Sequence, residues 1–384
     1  MRILVVTYSS NLNGGANRSL LMVLEYLCKT YNHDVLVVVP SKGELCNALD
    51  NIGVNWIEHR YHAIGMVNTL SIKNIGRCFK HLINSKRNEN EAKKQYNSLK
   101  KHNFEIVYIN NNGATYGANL AKLLDIPYVW HFRGEIYTKN RYLKNIAELI
   151  KDSDKLIAIS EDMKKLYKQN NILSCKEIEV IHNGISLNDE LPADQNRYNG
   201  FHIIQCGRIS EEKGQFEAVK AIAKLSTKYT DIILHIVGKA TGIDAKDYER
   251  RIKKYIDEKQ LQNHVVFEGY INDVNKFRRD MNCELVCSLR EPFGRVTVEG
   301  MRMGLIVIGS NTGGTVEIIQ NGVTGLLYEQ GDFLDLANKI EKVYSDSEFA
   351  MRIATKGREY SMNHFLPEEN VEKINNLLIE SANK

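Results

Sequence analysis

The stretch EPFGRVTVEGMRMG, residues 291–304, sets two carboxylates eight positions apart around a Pro-Phe-Gly turn. The residue before a proline is pushed out of helical geometry, so Glu291 belongs to a loop, whereas Pro292 and Gly294 suit the approach to a helix. Glu299 then falls about one turn inside that helix. The first amides of the helix, around Phe293, Gly294 and Arg295, lack intrahelical partners and can bind phosphate or sugar oxygens. An ionised carboxylate only accepts hydrogen bonds, and it can hold vicinal hydroxyls bidentately. Two carboxylates around a run of bare amides therefore suit a ligand with hydroxyls at both ends and phosphates between, which describes a nucleotide sugar. The plainer alternative makes Glu291 an ordinary loop acid and Glu299 part of a solvated helix face.

Two other turns carry similar chemistry. CGRISEEKGQ (206–215) projects Arg208 and Lys213 between Gly207 and Gly214. Arg as a fork and Lys as a point charge would neutralise a diphosphate. The alternative is a surface turn whose cations pair with Glu211 and Glu212. SSNLNGGANRSL (9–20) brings Gly14 and Gly15 to a helix start, either as a phosphate contact or as a plain glycine turn. It is neither a P-loop nor GxGxxG. The DSD at Asp152 and Asp154 immediately precedes the run KLIAIS and reads as a helix-to-strand connection rather than a metal site.

The elements that must position these turns are legible as short, continuous apolar runs. They are RILVVTY, DVLVVVP, VNWIEH, EIVYIN, YVWHF, KLIAIS and IEVIHN, then FHIIQCG, IILHIVG, VVFEGY, ELVCSL, LIVIGS and TGLLYE. Such runs are strands buried on both faces, and each precedes a longer helical stretch. The expected fold is α/β: two doubly wound, Rossmann-like parallel-sheet domains facing across a cleft. The first spans 1–190, a linker 191–200 and the second 201–366. A final amphipathic helix, 367–384, begins at Pro367 and is free to cross back to the first domain. Ligands of open parallel sheets bind beyond the carboxyl ends of the strands, where these turns lie.

Composition narrows the class. The 384 residues are 43% apolar and 26% charged, ordinary for globular domains, and exceed what one core usually holds. A net charge of +4 makes no whole-molecule case for nucleic acid. The seven cysteines contain no CxxC pair and no Cys/His set for zinc, so a reduced, cytosolic protein is the simplest fit. The opening MRILVVTY lacks a signal-peptide pattern. No apolar run approaches the ~18 residues of a membrane span.

Together these segments carry a resemblance to a known family. EPFGRVTVE with SNTGGTVEIIQNGVTGLLYEQGD (310–332) resembles the retaining GT-B glycosyltransferases of family 4, marked by Glu, seven residues, Glu. GRISEEKG resembles that family's diphosphate turn, and VIHNGIS (180–186) its Asn-Gly segment before the interdomain linker. IAISEDM, WHFRGE and GGANRSL resemble first-domain landmarks of bacterial surface-polysaccharide enzymes. The resemblance implies that Glu299 holds the ribose hydroxyls and Glu291 the donor-sugar hydroxyls. It gives Arg208 and Lys213 the diphosphate, helped by the amides of Gly294, Arg295 and Val296 and by Gly15. Backbone around Phe293 and Gly294 would read the sugar, and Tyr270 and Ile271 would border the base. His131 falls where the family places a histidine near the reacting carbon, although a lone histidine after a strand is more often packing. No cofactor and no metal is implied. The reaction would transfer a hexosyl or N-acetylhexosaminyl unit, with UDP as the first choice of carrier. The same fold also serves nucleotide-sugar epimerases, and a non-catalytic sugar-nucleotide-binding subunit is the alternative from outside enzymology.

The acceptor side is less defined. Residues 71–102 carry nine Lys or Arg against two Glu, with Ile72, Ile75, Phe79, Leu82 and Ile83 at helical spacing. This basic amphipathic helix either docks on an anionic inner-leaflet surface bearing a polyprenyl-diphosphate-linked acceptor, or packs its apolar stripe on the first domain. Asn110, Asn111 and Asn112 follow a strand and either line an acceptor site or cap a turn.

Overall fold

The computed structural model describes residues 1–12, 14–64, 72–135, 144–169, 176–186 and 199–384. They form two compact units, Met1–Ser186 with Leu366–Lys384, and Leu187–Phe365. Cys175 and positions 191–198 of the expected linker lie outside the described residues.

The first unit runs β1 (Arg2–Val6), α1 (Gly15–Lys29), β2 (Asp34–Val39), α2 (Glu44–Ile52), β3 (Asn55–Glu58), α3 (Ile72–Lys100) and β4 (Ile106–Asn110). It continues α4 (Thr115–Leu124), β5 (Tyr128–Phe132), α5 (Lys144–Asp152), β6 (Lys155–Ala158), α6 (Glu161–Lys168) and β7 (Ile178–Val180). The second runs β8 (Phe201–Cys206), α7 (Gln215–Leu225), β9 (Ile232–Val237), α8 (Ile243–Glu258), β10 (Val265–Gly269), α9 (Val274–Arg278) and β11 (Cys283–Val286). It continues α10 (Arg295–Arg302), β12 (Ile306–Ser310), α11 (Thr315–Ile318), β13 (Leu326–Tyr328), α12 (Phe333–Ser345) and α13 (Ser347–His364). The last helix, α14 (Pro367–Ala382), belongs to the first unit.

Each of the expected apolar runs is a strand, and the pairings are parallel. Ile3 lies beside Val35 on one side and Ile106 on the other, and Ile203 lies beside Leu234 and Cys283. Sheet orders are β3-β2-β1-β4-β5-β6-β7 and β10-β9-β8-β11-β12-β13. Chain direction across each sheet therefore reverses beside the first strand, between β1 and β4 and between β8 and β11. Loops leaving such switch points diverge and open a crevice at the strand carboxyl ends.

Helix faces follow their sequence period. On α1, Leu20, Val23, Leu24 and Leu27 are buried at i, i+3, i+4, i+7, and they share a core with Val371, Ile374 and Leu378 of α14. Helix α3 breaks that rule. Phe79 is 66% exposed, Leu82 36% and Ile83 44%. Among the described side chains of the helix, the buried ones are Asn84, Asn88, Ala92 and Leu99. Asn88 accepts from the His62 amide (2.8 Å) and donates to the His62 carbonyl (2.8 Å) and Thr115 Oγ1 (3.2 Å). An apolar stripe packing Phe79, Leu82 and Ile83 on the first unit is thus not what holds the helix. The hydrogen bonds of Asn88 and the buried Ala92 and Leu99 anchor it there. The side chains of Ile72 and Ile75 lie outside the described residues.

Candidate functional site

In the second unit the loops after β8 and β11, on either side of the switch point, are pressed together. Gly214 adopts φ 66° at the end of a short 3-10 turn, Glu211–Lys213. A Cβ on Gly214 would stand 2.0 Å from the Cys287 carbonyl oxygen, and the Leu289 amide donates to the Glu212 carbonyl (2.9 Å). This close approach, which only glycine permits, delivers Lys213 to Glu291. The Lys213 ammonium donates to Glu291 Oε1, and Ser288 Oγ donates to the same oxygen (2.5 Å). Glu291 is buried, at 7% exposure. Its backbone is braced from above: the Gly314 amide donates to the Glu291 carbonyl (2.7 Å), and a Cβ on Gly313 would lie 2.5 Å from that carbonyl.

Beyond Glu291, Phe293 turns its ring inward against Phe365, leaving its backbone beside Gly294. Gly294, at φ 102°, caps α10. Arg295 opens the helix and donates to Glu299 Oε1 (3.2 Å), and Glu299 Oε2 accepts from Arg278 Nη1 (3.1 Å). Arg278 is almost fully buried and grips Glu284 through Nε (3.0 Å) and Nη2 (2.8 Å). Burial pushes the Glu284 carboxyl above its ordinary range, with Arg278 pulling the other way. The guanidinium stays charged: burial works against it, but Glu284 and Glu299 outweigh that and raise it.

The turn cations divide. Lys213 pairs with neither Glu211 nor Glu212, whereas Arg208 is exposed and reaches Glu212 only at 3.9 Å. Glu211 pairs with Arg251 instead. At the end of β10, Tyr270 is half exposed with the Lys239 ammonium 5.5 Å from its ring centre, and Ile271 packs against the Ile204–Val237 cluster.

In the first unit the residues singled out by sequence meet around an arginine that was not. Arg133 Nε donates to Asn110 Oδ1 (2.9 Å), Nη1 to Asn183 Oδ1, and its backbone amide to Asn112 Oδ1 (2.8 Å). Asn110 is linked onward to Asn17, which anchors the 9–11 loop through the Ser9 and Asn11 carbonyls (2.8 Å each). The network joins the carboxyl ends of β1, β4, β5 and β7. Asn111 behaves differently: at φ 93° it turns the chain and bonds the Asn112 amide (2.7 Å). Turn capping is its role, while Asn110 and Asn112 hold Arg133.

His131 lies inside β5 at 0% exposure, its Nδ1 2.7 Å from the Tyr108 hydroxyl and its Nε2 without a hydrogen-bond partner among the described residues. Burial first, then the charge of Arg133, holds the imidazole well below its ordinary pKa, so it is neutral. Full burial keeps it from touching a ligand in this conformation. Gly15 opens α1 behind an extended Gly14, beside which nothing stands within 4 Å. Asp152 pairs with Lys122 (2.5 Å) and Asp154 accepts from the Tyr128 amide (3.0 Å), so the two carboxylates of the DSD tie the α5–β6 connection to α4 and β5.

Residues 13–189 match the family described as Glycosyltransferase Family 4, and residues 188–360 the family described as Glycosyl transferases group 1. The two glycosyltransferase families thus match successive parts of the chain, each a little under half of it. It is 28% identical over 249 residues to the capsular polysaccharide biosynthesis glycosyltransferase CapM of Staphylococcus aureus, covering 60% of this chain and 63% of CapM. It is 30% identical over 254 residues to the uncharacterized glycosyltransferase MJ1178 of Methanocaldococcus jannaschii, covering 64% of this chain and 66% of that protein. The match thus spans just under two thirds of each relative. Among solved structures, Anabaena Alr3699/HepE in complex with UDP and glucose superposes with a TM-score of 0.80 at 21% identity, over 98% of both chains. Two parallel-sheet α/β units of this kind make the fold GT-B.

Several side chains of the candidate site were not singled out from the sequence. Arg133 and Asn183 lie inside WHFRGE and VIHNGIS, yet the contact between them exists only in three dimensions, and Ser288 carries no motif. Glu284 did leave a trace: a carboxylate inside the apolar run ELVCSL demands a buried partner.

Proposed function

We propose that the chain is a retaining transferase that moves a hexosyl or N-acetylhexosaminyl unit from a nucleotide diphosphate sugar, first of all a UDP-sugar, to a glycan or lipid-linked glycan. The observation that carries this reading is the Lys213–Glu291 pair at the β8/β11 switch point, beside the N-terminus of α10. A cation touching a carboxylate suits the junction of a donor where a sugar hydroxyl sits next to the anomeric phosphate. Lys213, Arg208 and the amides of Gly294, Arg295 and Val296, helped by Gly15, stabilise the charge that builds on the departing diphosphate. The chemistry then calls for no metal and no cofactor. Glu291 accepts sugar hydroxyls and Glu299 ribose hydroxyls, while Tyr270 and Ile271 border the base. With Glu291 committed to hydroxyls, acceptor attack on the face the phosphate leaves is the favoured route, the phosphate oxygen taking the acceptor proton. His131, neutral and with Nε2 unpaired, serves as a hydrogen-bonding contact to the sugar once substrate displaces its cover, not as an acid. The test is a thermal-shift panel of UDP-, GDP-, dTDP- and ADP-sugars with EDTA present, followed by transfer assays. Stabilisation by one series supports the reading, and none by any removes it.

On the acceptor side, we propose that α3 rests on an anionic membrane surface at the cytoplasmic face, bringing a polyprenyl-diphosphate-linked acceptor within reach. Lys93 pairs with Glu89 (2.7 Å) and Lys94 with Glu91 (2.6 Å), so the middle of the helix is neutralised. Lys80, Lys86 and Arg87 instead flank the exposed Phe79, Leu82 and Ile83. A groove of about 560 Å³ between them is lined by His62, Phe79, Lys80, Ile83, Asn84 and Arg87. Cations framing bare apolar side chains suit phosphate headgroups above acyl chains. Asn110 and Asn112, through Arg133, shape the acceptor side of the same unit. Sedimentation with phosphatidylglycerol vesicles tests this: wild type should pellet, the Lys80→Glu/Arg87→Glu variant should not, and equal behaviour of the two rejects it.

A further inference from the structure

A glutamate one turn into a helix ordinarily swings about three side-chain torsions. Glu299 does not, because Arg278 holds one of its oxygens (3.1 Å) and Arg295 the other (3.2 Å). Of these two, Arg278 is the fixed one. It is 1% exposed, and its Nη1 also donates to Asn275 Oδ1 (2.7 Å). The other edge of its guanidinium is locked bidentately onto Glu284, at 3.0 and 2.8 Å. Glu284 is itself walled in: a Cβ on Gly300 would stand 2.3 Å from its Oε2, so the residue following Glu299 must be glycine for the pair to exist. A buried ion pair of this kind is a poor source of stability, since apolar residues of equal volume often replace it without loss. What it does supply is a rigid frame that ends on the carboxylate at the candidate ribose position.

We infer that Arg278, clamped by Glu284, is a positioning residue that sets the plane of the Glu299 carboxylate for two vicinal hydroxyls, and so determines the preference of the nucleotide site for ribose over 2′-deoxyribose. The inference rests on the nucleotide-sugar reading given above. A fixed carboxylate meets both the 2′- and 3′-hydroxyls. A freely turning one gains little from the second, and so discriminates little against a nucleotide that lacks it.

The experiment measures calorimetric binding of UDP, GDP and ADP and of their 2′-deoxy counterparts to the full chain. The wild type should prefer the ribonucleotide by about tenfold for the base it binds best, the worth of one hydrogen bond to a charged group. In Arg278→Met/Glu284→Met, which removes both buried charges at near-constant volume, that ratio should fall to about twofold or less, while affinity for the 2′-deoxy nucleotide stays within about twofold of wild type. Loss of a merely structural pair would weaken both nucleotides together and leave the ratio alone. A folded double variant that keeps the wild-type ratio overturns the inference. If the double variant does not fold, Glu284→Gln decides in the same way, because it loosens the clamp while keeping its shape: a reduced ratio supports the role and an unchanged one overturns it. Wild-type protein that binds none of the six nucleotides brings down the nucleotide-sugar reading, and the positioning role with it. Wild type that binds without ribose preference brings down the positioning role alone.

Discussion

Gly300→Ala inverts an ordinary expectation. Inside a helix alanine is favoured over glycine by about 1 kcal/mol, so a substitution in α10 should stabilise. The added methyl would, however, stand 2.3 Å from Glu284 Oε2 and 3.2 Å from both Glu284 Cδ and Val307 Cγ2. Glu284 has nowhere to retreat, since both its oxygens are held by Arg278. Overpacking a filled site costs about 1–3 kcal/mol, and a displaced Glu284 would strand a buried guanidinium at about 3–5 kcal/mol. Set against the helix gain, the net is a destabilisation of about 2 kcal/mol or more. For a unit the size of Leu187–Phe365, 2 kcal/mol corresponds to a Tm fall of roughly 4–8 °C. Thermal unfolding followed by circular dichroism measures it, with Gly134→Ala as the control, because nothing stands within 4 Å of a Cβ there. A Tm for Gly300→Ala equal to or above wild type would refute the claim that the Arg278–Glu284 frame is rigid.

Glu291→Gln should keep the fold and lower transfer by about 10²-fold or more, with nucleotide binding largely retained; a near-wild-type rate in a sugar-transfer assay would remove Glu291 from the site. Gly214→Ala combines a left-handed backbone, costing about 1–2 kcal/mol, with a Cβ 2.0 Å from the Cys287 carbonyl, so its urea midpoint should drop clearly below that of wild type. Stability should also decline as pH falls through about 6.5. His33, His59, His131 and His202 have lowered pKa values in the fold, chiefly through burial, so below about 6.5 the unfolded chain takes up protons that the native one does not. His131 is wholly buried and its pKa is lowered by that burial, so His131→Asn should make that decline shallower. An unchanged slope in denaturant titrations would mean His131 is protonated in the native state.

The sheet framework was open to reading because a strand buried on both faces must be apolar along most of its length, as IVYI (106–109) and IVIG (306–309) are. Two parallel-sheet units followed from thirteen such runs, and the GT-B class from the resemblance carried by EPFGRVTVE and residues 310–332. Helix α3 was left with two readings for the complementary reason: periodicity reports which face is apolar, not which face is covered. Asn88 is buried through hydrogen bonds to His62 and Thr115 that a hydrophobic pattern does not register. In the candidate site, Glu291, Glu299 and Lys213 stood out through local context, a proline, a helix start and flanking glycines. The contact between Lys213 and Glu291 spans 78 residues and depends on two loops touching at Gly214. The frame behind Glu299 likewise joins α9, β11 and α10, and nothing local in Arg278 announced it.

The return of α14 to the first unit means that the core holding Leu20, Leu24 and Leu27 is completed only by Val371, Ile374 and Leu378. All of the second unit is made between those two sets of residues. On the ribosome, a chain emerges from its N-terminus at about 5–20 residues per second, and domains usually fold in that order. Here the order is inverted. The later-made unit is continuous and can close as soon as it emerges, while the earlier one waits with an open apolar groove for its last helix. That wait is when the nascent chain is most exposed to aggregation and most in need of a chaperone.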